Sequence, residues 1–244
     1  MALNFSLDSL LEQSLLTEGP WWVYILNGAW WTIGLTIAAF ALALLIGIIV
    51  GTLRTAPNKF VRGLCEAWIE LFRNIPLIVQ IFIWYFVVPE LVPWYKDWLI
   101  EVDPAVGQFV TAFICMGLFT SSRIAEQVRA GISSLPRGLP NAAKALGFTT
   151  VQAYVQVVLP MAMRLIVPPL TSESMNLVKN TAVAMTIGLP ELTMRANEMG
   201  ENTFTFFAAY LWATILYIII ALVVNQLMAW VEKKSVIPGF IAAK

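Results

Sequence analysis

Histidine is absent from the 244-residue sequence, and with it the side chain that most often serves as a metal ligand or general base. The two cysteines, Cys65 and Cys115, show no CxxC or metal-binding spacing and are predicted to be small buried side chains. A GxxxxGK[ST] phosphate-binding loop is also missing. The sequence therefore predicts no metal or cofactor, no enzymatic nucleophile–base pair and no ATPase site of its own.

Charged residues are scarce. They make up 12% of the chain, about half the fraction of a soluble domain. Hydrophobic residues make up 59% and the mean hydropathy is +0.76. Several apolar segments reach the ~20 residues needed to cross a bilayer. The sequence predicts an all-α integral membrane protein with five transmembrane helices. The predicted segments are Asn27–Leu53, Leu64–Val88, Ala105–Val128, Leu165–Leu189 and Phe204–Val231. In the first segment, Gly34, Gly47 and Gly51 allow a neighbouring helix to pack closely.

Positive and negative residues are separated along the chain, although the formal net charge is zero. One set of loops, with the C-terminal end, is basic and contains Arg54, Lys59, Arg62, Arg129, Arg137, Lys144, Arg164, Lys233, Lys234 and Lys244. The alternate set, with the N-terminal end, has only Lys96 and Arg195 as basic residues and contains the acids Asp8, Glu12, Glu18, Glu90, Asp97, Glu101, Asp103, Glu191, Glu198 and Glu201. Because basic loops remain in the cytoplasm, the N-terminus is predicted to lie outside and the C-terminus inside.

This orientation divides the chain into three predicted parts. They are an outer, periplasmic segment 1–26, a membrane domain 27–231 and a cytoplasmic tail 232–244. Residues 1–20 contain acids but neither lysine nor arginine, so we do not expect a cleaved secretory signal.

Polar residues interrupt the fourth apolar segment just after Pro168-Pro169, a pair expected to break or kink a helix. At 3.6 residues per turn, these polar residues share one helical face. They are Ser172, Glu173, Asn176, Lys179 and Asn180. Two interpretations remain open for this face. It lines a solute pathway, or it forms a hydrogen-bonded seam between helices in which Glu173 pairs with a neighbouring helix. Lys179 is equally placed to be a structural partner for Glu66, Glu70 or Glu126.

Two arginines fall within or beside apolar segments. Arg73 precedes Asn74-Ile75-Pro76, where the proline removes a backbone hydrogen bond and exposes carbonyl groups that need protein or water nearby. Its guanidinium either binds a solute carboxylate or pairs with Glu70 one turn away. Arg123 shares a helical face with Glu126. It either lines the same cavity as Arg73 or extends to the lipid headgroups.

The predicted cytoplasmic loop 137–160 contains basic residues but no acid. Its apolar residues recur at the spacing i, i+3, i+4, i+7, which predicts one stripe on a short helix. They are Leu139, Ala142, Ala143 and Leu146. Gly147 is placed to end this helix and turn the chain. Such a structured loop predicts a docking surface.

The same loop contains Asn141-Ala142-Ala143, three residues, Gly147, nine residues and Val157-Val158-Leu159-Pro160. This pattern resembles the EAA loop of importer-type ABC transporter permeases, where E-A-A, Gly and I-x-L-P recur at the same spacing. Asn141 replaces the glutamate of that pattern, and Val157 replaces its isoleucine. The resemblance implies that the loop binds an ATPase subunit, and the change at Asn141 affects one polar or ionic contact. The implied coupling residues are Asn141, Ala142, Ala143, Leu146, Gly147, Leu159 and Pro160.

Three further stretches resemble polar amino acid permeases: Glu70–Gln80, Glu126–Gly131 and Ile187–Leu192. The resemblance to permease subunits of glutamate/aspartate importers rests particularly on FRNIPLIVQ, GLFTSSRIAEQVRAGI, VPPLTSE and MNLVKNTA. The resemblance covers about Asn27 to Trp230 and implies a type I ABC importer permease in the bacterial inner membrane. It implies a second permease subunit, the same or homologous, two copies of an ABC ATPase and a periplasmic amino-acid-binding protein. Nothing in the sequence indicates a nucleic-acid partner.

An acidic substrate, or its amide, follows from the same resemblance, because other amino acid permeases often have tyrosine where Arg123 stands. The implied substrate-binding residues are Arg73, Arg123, Glu126, Glu173, Asn176 and Lys179. In this hypothesis Arg73 binds the α-carboxylate, and Arg123 or Lys179 binds the side-chain carboxylate. Glu173, with Glu126 as second choice, balances the ammonium group. The alternative is a secondary amino acid/ion transporter, which often contains an inverted repeat that we do not find in this sequence.

Overall fold

The computed structural model describes residues 8–16, 19–136 and 138–235, and every regular element within these ranges is helical. After a short 3-10 turn at Asp8–Leu10, the helices are α1 (Trp21–Leu53), α2 (Lys59–Asn74), α3 (Leu77–Leu91), α4 (Pro93–Glu101), α5 (Pro104–Ser134), α6 (Leu139–Ala145), α7 (Thr150–Ile187), α8 (Leu192–Thr203) and α9 (Phe206–Ser235). The predicted all-α class is confirmed. Arg137 lies outside the described residues, as do 1–7 and 17–18 of the predicted N-terminal segment and 236–244 of the predicted tail.

Four helices of the described residues are long and apolar enough to cross a membrane: α1, α5, α7 and α9. The pair α2–α3 forms a fifth candidate, bent by 99° at its break. The break occurs because Pro76 lacks an N–H and holds the preceding residue, Ile75, in extended backbone (φ −93°, ψ 129°). Five predicted spans therefore correspond to four long helices and one bent pair.

The fourth predicted span differs from its expectation in two ways. Its helix, α7, begins at Thr150, well before the predicted Leu165, and includes the end of the predicted loop. It also continues across Pro168 and Pro169 without a break. Membrane helices tolerate internal prolines when neighbouring protein groups compensate for the lost backbone bonds.

The chain divides into two compact units. Unit 1 comprises Met1–Ala39, Pro76–Met116 and Asn176–Val223, and unit 2 comprises Phe40–Ile75, Gly117–Met175 and Val224–Lys244. Among the described residues, the charges predicted to lie outside belong to unit 1, and the charges predicted to be cytoplasmic belong to unit 2. The separation of charge seen along the sequence thus reappears in the packing. The direction in which the chain crosses the membrane stays a prediction.

Unit 1 contains a buried carboxylate at the start of α8. Glu191 is fully buried, accepts a hydrogen bond from the Met194 N–H (2.8 Å) and accepts another from the Tyr217 hydroxyl (2.6 Å). Burial raises the pKa of Glu191, and these hydrogen bonds offset only part of that rise. The Thr32 hydroxyl accepts from the Leu192 N–H at 3.2 Å, so α1 and α9 both contact the N-terminus of α8.

Replacing Tyr217 with phenylalanine should lower the free energy of unfolding by about 1–3 kcal/mol, because one oxygen of buried Glu191 loses its donor. Tyr210→Phe is the matched control, because its hydroxyl donates to Asn197 at 3.0 Å on the exposed surface. Thermal unfolding of the purified protein in detergent measures both variants. Equal midpoints for the two variants would contradict a structural role for the buried pair.

Unit 2 packs α1, α5 and α7 around an apolar cluster. Its buried members are Ala43, Ile124, Val128, Ile132, Leu135, Val158, Ala162, Ile166 and Leu170. Glycine permits the closest approach: a Cβ at Gly131 would lie 2.5 Å from Ile166 Cγ2, and one at Gly47 would lie 2.7 Å from Ile124 Cβ. The predicted close packing of the first segment is confirmed at Gly47 and Gly51. A Cβ at Gly34 would lie 3.8 Å from Phe109, at ordinary contact distance.

Candidate functional site

Four of the six predicted substrate residues meet in one cavity of unit 2. Arg73, Arg123, Glu126 and Glu173 line it together with Gln127, and its volume is about 250 Å³. Ligand pockets for drug-sized molecules are commonly about 300–1,000 Å³, so this cavity suits a small solute. The other two predicted residues, Asn176 and Lys179, belong to unit 1 and do not line it.

Arg73 lines the cavity from the last turn of α2, just before the break to α3. Helix α2 buries Cys65, Ile69 and Phe72 on one side, and Arg73 occupies its exposed last turn. Among the described residues, no ion pair joins Arg73 to Glu70. The alternative of a local ion pair is therefore not formed, and the guanidinium is available to the cavity.

Arg123 and Glu173 face each other across the cavity without a direct hydrogen bond. Arg123 Nη1 lies 3.8 Å from Glu173 Oε2, which is beyond hydrogen-bond distance. The Arg123 guanidinium also lies over the Phe119 ring, 5.3 Å from its centroid. The Arg123 side chain is 45% exposed, whereas that of Glu173 is 13% exposed. The structure thus favours the cavity-lining interpretation of Arg123, in a loose ion pair that a ligand carboxylate can enter.

Glu126 differs from Glu173 because both of its oxygens are already bound. Oε1 accepts a hydrogen bond from Arg54 Nη1, and Oε2 accepts one from Arg129 Nε at 3.0 Å. Arg54 Nε also lies 3.7 Å from Glu66 Oε1. This pairing makes Glu173 the better partner for a ligand ammonium group. Sequence reasoning missed Arg54 because it was grouped with the other cytoplasmic charges, although it directly follows α1.

Two arginines and two glutamates line the cavity, and two further arginines adjoin it at Glu126. Arg73 and Arg123 face Glu173, while Arg54 and Arg129 neutralise Glu126 from behind. Guanidinium groups bind carboxylates through paired hydrogen bonds, and a carboxylate can bind an ammonium group. Among the described residues, no cluster of three His, Cys, Asp or Glu side chains is arranged to hold a metal ion. The arrangement can bind a small solute that carries both anionic and cationic groups.

A second surface lies in the predicted cytoplasmic loop. The predicted short helix is present as α6, and Gly147 turns the chain after it with φ +91°. The Phe148 N–H donates a hydrogen bond to the Ala143 carbonyl at 3.2 Å, and the Gly147 N–H donates one to the Lys144 carbonyl at 2.9 Å. A reciprocal pair of hydrogen bonds between Thr149 and Gln152 then starts α7.

The four residues of the predicted apolar stripe do not share one environment, so the prediction of a single apolar face is wrong. Ala143 is buried and Leu139 packs against the core of unit 2, but Ala142 and Leu146 are exposed. Leu146 leaves the stripe because it follows the last residue of α6 and is 80% exposed. With Val151, 72% exposed at the start of α7, it places large apolar side chains in solvent. Leu159 and Pro160 lie within α7 rather than in a loop.

A family model described as the inner membrane component of binding-protein-dependent transport systems matches residues 43–236. This chain belongs to that family. The predicted resemblance to importer permeases is confirmed, and the chain is a permease subunit of the ABC importer class. With its apolar helices, it is a multi-pass inner membrane protein.

Three amino acid permease proteins illustrate what this chain is similar to. The glutamate/aspartate import permease protein GltJ of Escherichia coli K12 is 43% identical over 249 residues, covering all of both chains. The probable glutamine ABC transporter permease protein GlnM of Bacillus subtilis is 28% identical, covering 86% of this chain and 92% of GlnM. The glutamate/aspartate import permease protein GltK of Escherichia coli O157:H7 is 27% identical, covering 87% of this chain and 93% of GltK.

Solved permease structures share the fold. An amino acid ABC transporter crystallised with histidines superposes with a TM-score of 0.72 at 24% identity, covering 87% of this chain and 94% of that chain. The inward-facing methionine transporter MetNI gives a TM-score of 0.69 at 21% identity, covering 88% and 97%. The helical arrangement is therefore that of ABC importer permeases.

Proposed function

We propose that this permease subunit imports acidic amino acids, glutamate and aspartate. The observation that carries the proposal is the small cavity in which two arginines face one largely buried carboxylate. Glutamate and aspartate have the complementary charges, namely two carboxylates and one ammonium. The name of GltJ, which is 43% identical over the whole chain, supports the same substrate class.

Each cavity residue has a proposed role. Arg73 binds the α-carboxylate and Arg123 binds the side-chain carboxylate. Glu173 holds the ammonium group, because its carboxylate has only a loose partner at 3.8 Å. Glu126 stays bound to Arg54 and Arg129 and forms part of the cavity wall without binding the substrate. Asn176 and Lys179, one turn apart on α7, remain proposed pathway residues outside this cavity.

The proposed assembly contains two permease subunits, two copies of an ABC ATPase and a periplasmic amino-acid-binding protein. GltJ and GltK are both named glutamate/aspartate import permeases, and both are similar to this chain, which supports a paired permease. In this proposal the outer segment 1–26 and the acidic loops face the periplasm. The loop 137–160 and the tail 232–244 face the ATPase, which hydrolyses ATP.

The docking surface is proposed to centre on the turn between α6 and α7. Asn141, Ala142 and Lys144 are exposed there, together with the apolar side chains of Leu146 and Val151. Exposed apolar side chains next to polar ones are typical of a protein interface. Asn141 contributes an amide at the position where the EAA pattern has a carboxylate.

Replacing Gly147 with aspartate should uncouple ATP hydrolysis from transport while leaving membrane insertion intact. A side chain at φ +91° costs about 1–2 kcal/mol, so the turn that presents Leu146 and Val151 should change. Gly138→Asp is the matched control, because Gly138 has an ordinary φ of −74° and open space around its Cβ position. Substrate-stimulated ATPase activity of the reconstituted complex is the measurement. Normal stimulation in Gly147→Asp would argue against docking at this turn.

Uptake by the reconstituted complex tests the proposed substrate class. Radiolabelled glutamate uptake should require ATP and compete strongly with unlabelled aspartate, but weakly with glutamine and asparagine. The amides lack the second carboxylate that Arg123 is proposed to bind. Equal competition by all four would contradict the acidic preference. Uptake that continues without ATP would instead indicate a secondary transporter.

A further inference from the structure

A cluster of charged side chains lies directly beside the cavity and shares Glu126 with it. It consists of Arg54 at the end of α1, Glu66 on α2, and Glu126 and Arg129 on α5. All four belong to unit 2. The side chain of Arg54 is only 18% exposed, although it follows the last residue of a membrane helix. An arginine so covered by protein is held in one position.

The fixed position of the Arg54 side chain matters because its partner Glu126 belongs to both the cluster and the cavity. Its carboxylate lines the cavity with Arg123, which lies three residues earlier on the same face of α5. If the Glu126 carboxylate were unpaired, three residues from Arg123 on the same helical face, it would attract the Arg123 guanidinium. It would then compete with a carboxylate of the substrate for the same donors. Arg54 and Arg129 prevent this by occupying one oxygen of Glu126 each.

We propose that Arg54 is a positioning residue for acidic substrates: it restrains Glu126 so that Arg123 stays available to a substrate carboxylate. This inference rests on the proposed function of the cavity. Arg129 alone cannot replace Arg54, because it bonds the other oxygen of Glu126 and its side chain is 41% exposed. Without Arg54, Oε1 of Glu126 loses its hydrogen-bond donor, while Oε2 keeps Arg129. The competition is then partial, and the affinity for glutamate falls without vanishing.

The test is equilibrium binding of radiolabelled glutamate to the purified transporter complex without its binding protein. Arg54→Gln should raise the Kd for glutamate about tenfold, since it exposes a competing charged acceptor. Arg54→Gln combined with Glu126→Gln should restore the Kd to within about twofold, because the competitor is then neutral. Arg54→Lys, which keeps the charge but not the fork geometry, should lie between these values. Arg62→Gln is the matched control, because Arg62 is exposed on α2 and forms no ion pair among the described residues.

Recovery in the double variant, together with an unchanged thermal unfolding midpoint of the Arg54→Gln complex, is the decisive result, since loss of a merely structural contact would lower that midpoint along with the affinity. A double variant as weak as Arg54→Gln, or a Kd unchanged in Arg54→Gln, would overturn the inference. Co-purification of the other subunits monitors assembly of each variant. Failure of the proposed function looks different. In that case the unmodified complex would not bind glutamate specifically, or its Arg123→Gln variant would bind glutamate with the same Kd as the unmodified complex.

Discussion

Glutamate uptake should fall about 100-fold when Arg123 is replaced by glutamine. Truncating one partner of a buried, hydrogen-bonded charge pair, such as Arg123 is proposed to form with the substrate carboxylate, typically costs 2–5 kcal/mol, and ~2.7 kcal/mol corresponds to that factor. Two effects act together at this position. The substrate loses its side-chain carboxylate partner, and Glu173 loses the only cation within 4 Å of it among the described residues. Glu173 is then a largely buried charge without a cation, which is itself unfavourable.

The measurement is initial uptake by proteoliposomes at saturating binding protein, with complex assembly checked by co-purification. Arg123→Lys is the first control. It retains the charge but loses the two-pronged geometry, and it should keep a larger part of the uptake. Glu173→Gln in the Arg123→Gln background is the second control, and it should not recover uptake, because Glu173 is the proposed partner of the substrate ammonium group. Unchanged glutamate uptake in Arg123→Gln would reject the role of Arg123.

Gly51→Val should have the second largest effect, a loss of most assembled transporter from the membrane. A Cβ at Gly51 would lie 2.5 Å from the Ala125 carbonyl oxygen and 2.7 Å from Val128 Cβ. The first of these atoms belongs to the backbone of α5, so α1 and α5 must separate to admit a side chain. Overpacking of this kind costs about 1–3 kcal/mol or more, a large share of the stability of a typical protein.

Gly63→Val provides the matched control for this substitution. Gly63 also lies in a helix, α2, but its Cβ position has no atom within 4 Å. Any loss caused by placing a branched residue in a helix appears in both variants, and only the loss caused by helix contact is specific to Gly51. Gly51→Ala should fall between the two. Membrane content measured by immunoblot, and co-purification of the partner subunits, distinguish these cases. Equal yields of Gly51→Val and Gly63→Val would contradict the close contact of α1 and α5.

Local covalent rules made several parts of the fold predictable. Pro76 lacks an N–H and disfavours a helical conformation of the residue before it, so an interruption after Arg73 could be predicted from the sequence. Gly147 accepts a left-handed backbone that other residues avoid, so the turn after α6 could be predicted from its position. The meeting of Arg73, Arg123 and Glu173 followed from a physical expectation, because charges within apolar segments need partners or water.

Tertiary contacts decided the features that local rules could not. Nothing near Arg54 in the sequence indicates that its partner is Glu126, on a different helix. The continuity of α7 through Pro168 depends on the packing around it. The exposure of Leu146 depends on the residue at which α6 ends, and a shift of one turn would return it to the apolar stripe. Helix boundaries and pairings between helices are set by the whole domain, so a short sequence window does not contain them.

Helix α1 has a length that matters for the membrane itself. Its 33 residues, at about 1.5 Å each, span roughly 50 Å, whereas the hydrocarbon core of a bilayer is about 30 Å thick. A helix this long meets hydrophobic mismatch: it must tilt, project from the membrane or thicken the lipid around it. Any motion that changes its tilt therefore deforms the surrounding bilayer. Lipid thickness becomes a mechanical variable of the importer, acting on α1 beside the contacts between its subunits.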